Sequence, residues 1–210
     1  MKREPYYNFS MSAPIVFLTD FGDRDPFVGI MKGVVAMISP SAPLIDLTNK
    51  IPPGDIQRAA MTLWQAVDYF PDESVFLVVV DPGVGTSRKA MLLDSGRHRF
   101  IGPDNGVFSF IADDDARGWE LSNPDYTLPD PGTTFHGRDI FAPAAAYAWK
   151  GIPGPAFGEA IPDPIRLPDP LLDTGPGGAL RGEILHADHF GNLLTSLGQF
   201  RRLEDGHLRL

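Results

Sequence analysis

Short, nearly unbroken apolar runs alternate along this chain with segments whose apolar residues recur every three or four positions. Pro14-Ile15-Val16-Phe17-Leu18-Thr19 runs into Asp20 and predicts a strand buried on both faces. Asp25 and Pro26 then offer an N-cap and a first-turn proline. The helix they open has Phe27, Ile30, Met31, Val34 and Ile38 as its inward face and stops before Pro40. Leu44–Thr48 reads as a second strand. Asp55 caps a second helix carrying Ile56, Ala59, Leu63, Val67 and Phe70 on one face, and Ser74–Val80 is the strongest strand, ending in Asp81. Strand, helix, strand, helix, strand predicts an α/β fold with a mostly parallel sheet and helices on both faces. Such sheets bind ligands beyond the carboxyl ends of their strands, where Asp20 and Asp81 fall.

After Asp81 the elements shorten. Ala90–Leu93 and Arg99–Ile101 predict a hairpin, Asp104-Asn105-Gly106 leads into a short helix with Val107, Phe108, Phe110 and Ile111, and an alanine-rich helix spans Arg138–Lys150 with Pro143 in its first turn. Between Gly151 and Ala179, seven prolines and six glycines in 29 residues predict an extended, semi-rigid linker rather than another packed unit. The organisation is thus an N-terminal α/β domain over 13–152, a Pro/Gly-rich linker over 153–179, and a C-terminal β unit over 180–210. That last unit has 31 residues, fewer than the roughly 40 that usually stand alone. It is expected to dock on the first domain or on another subunit, or to be one part of a larger β domain.

Composition narrows the function classes. With 18 Lys+Arg against 27 Asp+Glu the formal charge is −9, which argues against a nucleic-acid-backbone binder. No apolar run approaches the ~20 residues of a membrane helix. The start, Met1–Tyr7, lacks the apolar core of a secretory signal, so a cytoplasmic location is expected. The absence of cysteine removes disulfides, thiolate nucleophiles and thiolate metal sites.

Four polar clusters lie at predicted strand ends or turns. In Thr19-Asp20-Phe21-Gly22-Asp23-Arg24-Asp25, Asp20 suits the hydroxyls of a ribose, the three aspartates suit a hard cation, and a plain turn explains them equally simply. In Asp81-Pro82-Gly83-Val84-Gly85-Thr86-Ser87-Arg88 the tight turn folds Arg88 back toward Asp81, giving either a structural ion pair or an ionised carboxylate facing a pocket. His136, in Thr134-Phe135-His136-Gly137-Arg138-Asp139, stands at a helix mouth as a pocket residue or a cap. Asp188, Phe190 and Asn192 combine hydrogen-bonding groups with a flat apolar face, suited to a purine or to a strand-joining turn.

Taken together and in order, Thr19–Gly22, Asp81–Arg88, Gly102–Gly106, Thr134–Asp139 and Asp188–Asn192 resemble the S-adenosyl-L-methionine hydroxide adenosyltransferases, relatives of the fluorinases and chlorinases. The match runs from about Pro14 to Thr195. The resemblance implies attack of water on the ribose C5′ of S-adenosylmethionine, releasing adenosine and methionine. It maps the family's catalytic Asp–Arg–His set onto Asp81, Arg88 and His136, and its substrate-binding residues onto Asp20, Phe135, Asp188, Phe190 and Asn192. It also implies no metal or cofactor besides the substrate, a small β-barrel-like second domain, and a homotrimer with the ligand between neighbouring subunits.

In the halogenating relatives an aromatic residue replaces Asp81, and an ionised carboxylate there would repel a halide, so water is the expected nucleophile. Family members continue several dozen residues past Phe-Gly-Asn, with contacts to the methionine carboxylate and adenine. Either those strands lie beyond this sequence, which ends at Leu210, or the C-terminal half of the pocket is incomplete, and how the methionine end is held stays open between the two. The competing readings are a non-catalytic adenosine or S-adenosylmethionine binder, a halogenase, and a metal-dependent nucleoside hydrolase.

Overall fold

The computed structural model describes residues 13–113, 115–197, 201–202 and 208–209; the N-terminal start lies outside them. β1 (Ile15–Thr19), α1 (Phe27–Ile38), β2 (Leu44–Thr48), α2 (Ile56–Val67) and β3 (Val75–Val79) follow one another as the apolar pattern dictates. β4 (Ala90–Asp94) and β5 (Arg99–Pro103) form the hairpin, and β6 (Arg117–Glu120) precedes a wide helical turn at Gly137–Phe141 that runs into α3 (Ala142–Trp149). β7 (Ala160–Ile161) closes a seven-stranded sheet of order β2-β1-β3-β5-β4-β6-β7. β2, β1, β3 and β5 are parallel, while β4, β6 and β7 add antiparallel neighbours.

Alternation along β1 shows why its run is unbroken. Ile15 and Phe17 pack with Met31, Phe141 and Ala145 on the α1/α3 face, while Val16 and Leu18 pack with Ala59, Leu63 and Phe100 on the α2 face. A strand covered on both sides has no polar face to show. The chain passes from β1 outward to β2 and returns across β1 to β3, so the strand order reverses between β1 and β3. The crevice at that switch point opens beside Asp20 and Asp81.

Three local expectations change. In α1 the buried set is Val28, Met31, Val34 and Val35, whereas Phe27 and Ile30 are 40% and 44% exposed. The helix is apolar almost all round, so periodicity did not select its inward face. Asp25 does not cap it; Pro26 holds the N-cap position with no side-chain bond, while Asp55 does cap α2 by accepting the Arg58 N–H at 2.9 Å. The segment after Gly106 is a chain of turns rather than a helix, tied by Ser109 N–H to Gly106 O and Ile111 N–H to Phe108 O.

Beyond the sheet lie three antiparallel pairs: β8 (Leu172–Thr174) with β9 (Leu180–Gly182), β10 (Ile184–Ala187) with β11 (Leu193–Thr195), and β12 (Arg201–Arg202) with β13 (Leu208–Arg209). The β10–β11 pair rests on α2, where Leu185 and Leu194 meet Met61 and Trp64.

At the opposite end of the sheet His98 is 2% exposed, edge-on to Phe76 with ring centroids 5.4 Å apart. Neither ring nitrogen has a hydrogen-bond partner among the described residues. Burial first, then the Arg97 guanidinium, pushes its pKa below the ordinary 6.5, with Asp72 and Asp68 pulling weakly the other way. The unfolded chain therefore binds this proton more readily than the folded one. Stability is full above about pH 6.5 and declines as pH falls from there toward the depressed folded value, by at most about 1.4 kcal/mol per pH unit. Urea midpoints at about pH 7.5 and 5.5 check this: His98→Leu should flatten the difference that the parent protein shows.

Candidate active site

Asp81 follows β3 directly after Val80 and sits at the head of a loop that needs glycine to reverse: Gly85 has φ +79°. The reversal brings Arg88 back over Asp81. Its Nε lies 3.0 and 2.9 Å from the two carboxylate oxygens, and Nη2 bonds Oδ2 as well. The side chains of both are almost enclosed, at 8% and 5% exposure, and the Arg88 guanidinium packs on the Phe141 ring at 5.2 Å. Charge-assisted, fork-shaped pairing of this kind fixes orientation as well as charge.

Arg88 reaches a second partner. Its Nη2 lies 2.7 Å from His136 Nδ1. A guanidinium only donates, so Nδ1 must accept, and the ring's proton resides on Nε2. Burial, reinforced by the Arg88 charge, holds the His136 pKa below 6.5. The ring is therefore a neutral imidazole offering an N–H. Its position is set by the helical turn it opens, where Asp139 is 3% exposed and accepts the Gly132 N–H at 3.1 Å, pinning the preceding loop.

These groups border one open cavity of about 510 Å³ whose lining includes Asp20, Gly54, Asp81, Thr134 and His136; Arg88 stands behind Asp81. Asp20 Oδ2 accepts the Gly54 N–H at 2.8 Å, leaving its other oxygen for a ligand hydroxyl. A second, largely apolar cavity of about 350 Å³ adjoins it through Phe21, Thr134 and Gly137. Phe135 lines this one, 49% exposed, facing Phe27 at 6.5 Å and Arg138 at 5.0 Å. The exposed Phe27 and Ile30 of α1 thus line a cavity wall.

Asp188, Phe190 and Asn192 lie elsewhere, in the β10–β11 turn. The Asp188 carboxylate accepts the backbone N–H groups of Phe190 and Asn192, each at 2.8 Å, and the Asn192 side-chain amide at 2.7 Å. Phe190 is 86% exposed, and none of the three lines either cavity within this chain. Among the described residues no cluster of three His, Asp or Glu side chains is arranged around a metal-sized gap. No described helix is long and apolar enough to cross a membrane.

Sequence reading passed over Gly54, Val84 and Thr134 as pocket residues. The signal for Gly54 was present: Pro52-Pro53-Gly54 before the Asp55 cap marks a tight turn, whose N–H donates to Asp20 at the switch point.

The arrangement presents a fixed carboxylate at Asp81, a neutral imidazole at His136 and a second carboxylate at Asp20 around one cavity of about 510 Å³. Comparison with known proteins identifies the family. Residues 15–158 match the SAM hydroxide adenosyltransferase N-terminal domain. An (R)-S-adenosyl-L-methionine hydrolase of Thermus thermophilus is 43% identical over 194 residues, covering 88% of this chain and 74% of that protein. A fluorinase of Actinoplanes is 26% identical, covering 87% and 71%. The crystal structure of a conserved protein from Thermotoga maritima superposes with a TM-score of 0.79 at 39% identity, covering 87% of this chain and 70% of that one. On sequence and fold, this chain belongs to the SAM hydroxide adenosyltransferase family.

Proposed function

We propose that the protein hydrolyses S-adenosyl-L-methionine, in the (R) form named for its hydrolase relatives, to adenosine and L-methionine. The observation that carries this is the meeting of Asp81 and His136, 55 positions apart, on one cavity at the switch point, with Arg88 behind them bonded to both. The higher identity to the hydrolase than to the fluorinase supports the same choice.

The chemistry asks for placement. Water oxygen forms a bond to C5′ while the C5′–S bond breaks, and sulfur takes that electron pair and leaves as the neutral thioether of methionine. The leaving group needs no proton. The scarce element is a water molecule in line behind a primary carbon, and placement of that kind removes ~7–11 kcal/mol in favourable cases. Asp81 accepts the water's hydrogen bond and takes on the proton's charge as the oxygen attacks. His136 donates through Nε2–H to the same oxygen, because its Nδ1 is occupied by Arg88. Asp20 holds the ribose hydroxyls with the oxygen that Gly54 leaves free. The lost proton passes to solvent after product formation.

The assembly we propose is a homotrimer in the cytoplasm, with the ligand between neighbours. Support comes from apolar surface on both sides of such a contact: Phe27, Ile30 and Phe135 at the apolar cavity, and Phe190, Ile184 and Leu193 on the C-terminal pairs. It would bring Asp188, Phe190 and Asn192 to the cavity of the next subunit. Sedimentation equilibrium of the full chain should return three times the 22.9 kDa monomer mass; a monomer at micromolar concentration contradicts the assembly.

Incubation with the (R) form of S-adenosyl-L-methionine, chelator and no halide tests the function. Equimolar adenosine and methionine support it. Free adenine indicates a nucleoside hydrolase, intact substrate a binding protein, and a 5′-halogenated nucleoside on adding chloride or fluoride a halogenase.

A further inference from the structure

The turn Gly102-Pro103-Asp104-Asn105-Gly106 performs none of the chemistry assigned above, yet it is built against the loop that does. Asn105 Nδ2 donates to the Val80 carbonyl at 3.0 Å, immediately before Asp81. Asn105 Oδ1 accepts the Val107 N–H at 3.2 Å, which fixes which way round the amide sits. The Asp104 N–H donates to the Lys89 carbonyl at 2.9 Å, immediately after Arg88. The turn thus grips the Asp81–Arg88 loop at both ends. The approach is close enough to require glycine: a Cβ on Gly102 would lie 2.5 Å from the Val78 carbonyl oxygen. The turn is itself anchored on its far side, where Asp104 Oδ1 accepts the Ile165 N–H and Ser109 Oγ the Leu167 N–H, each at 2.8 Å.

We propose that Asn105 is a positioning residue for Asp81: its side-chain amide ties down the Val80 carbonyl and so sets where the Asp81 carboxylate is presented. The inference rests on the hydrolase reading above. Arg88 holds the carboxylate at its oxygens, whereas Asn105 holds the backbone that carries it, at the start of a loop that includes the flexible residues Gly83 and Gly85. The Val80–Asp81 peptide carries the side chain with it when it tilts. A displacement of about 1 Å at a reacting group is worth on the order of 100-fold in rate.

Asn105→Ser replaces the amide that reaches the Val80 carbonyl with a shorter hydroxyl, adds no charge and keeps a small acceptor for Val107. Asn105→Asp preserves shape but sets a carboxylate oxygen against the Val80 carbonyl. In either folded variant we expect kcat to fall roughly 10- to 100-fold, with KM within about threefold of the parent. In an Asp81→Asn background the same substitution should lower kcat no further, because the carboxylate it positions is gone. Retained kcat in a folded variant overturns the proposal. So does an effect confined to KM, or the full factor persisting without Asp81. If neither variant folds, Asn105 is structural and the proposal is likewise overturned. A parent protein that leaves S-adenosylmethionine intact overturns the hydrolase reading and this proposal together; an active parent with an equally active Asn105→Ser overturns this one alone.

Discussion

Asp81→Asn is expected to lower turnover of S-adenosylmethionine by about 100- to 10,000-fold, the usual range for losing a positioned proton acceptor. The amide keeps the shape and one oxygen for Arg88, but replaces the other oxygen with an NH2 that can only donate to the water whose hydrogen bond it should accept. Adenosine affinity should change little, since the ribose is held by Asp20, whose carboxylate is fixed separately by Gly54 at 2.8 Å. Single-turnover kinetics and adenosine titration by calorimetry separate the two. Turnover that survives the substitution removes Asp81 from the mechanism. A paired loss of turnover and adenosine binding means instead that the cavity has collapsed.

Arg88→Met carries the second large effect, on stability as well as rate. Asp81 and Arg88 have side-chain exposures of 5% and 8%, so removing the cation leaves an enclosed carboxylate without its partner. Breaking a buried pair on one side costs about 3–5 kcal/mol, readable as a lower urea midpoint at unchanged slope. His136 supplies an independent signature. In the parent protein burial and the Arg88 charge keep it neutral, so the acid limb of kcat against pH should lie below the ordinary imidazole value of 6.5. Without Arg88 the second of these depressions vanishes, and the residual activity should fail at higher pH than in the parent. An acid limb that stays in place means that His136 does not report on activity through its contact with Arg88.

Legibility of this chain from sequence followed how local each determinant was. β1 and β3 were readable because Ile15–Thr19 and Val75–Val79 are covered on both faces, which leaves an unbroken apolar run ending in a carboxylate. The inward face of α1 was not readable, since Val28 and Val35 are as apolar as the Phe27 and Ile30 that turned out to line a cavity. Asp25 and Asp55 look alike before a helix, and only Asp55 meets a backbone N–H. The fold back of Arg88 onto Asp81 followed from Pro82, Gly83 and Gly85. Its contact with His136, 48 positions on, came from the joint occurrence of motifs and from no single spacing. Asp188 and Asn192 show the opposite difficulty: within their own turn Asp188 accepts the Phe190 and Asn192 N–H groups and the Asn192 side-chain amide, as short polar side chains tend to do, so the same residues read equally as a turn. Asn105 escaped because its partner is a backbone carbonyl 25 residues away, and no side-chain pattern announces such a bond.

The central claim concerns one oxygen atom, and its origin can be measured. S-adenosylmethionine turned over in ¹⁸O-enriched water, with the products resolved by mass spectrometry, should yield adenosine carrying a single heavy oxygen at its 5′ hydroxyl and methionine carrying none. Unlabelled adenosine, or label on ribose released from free adenine, would contradict attack of an oriented water at C5′.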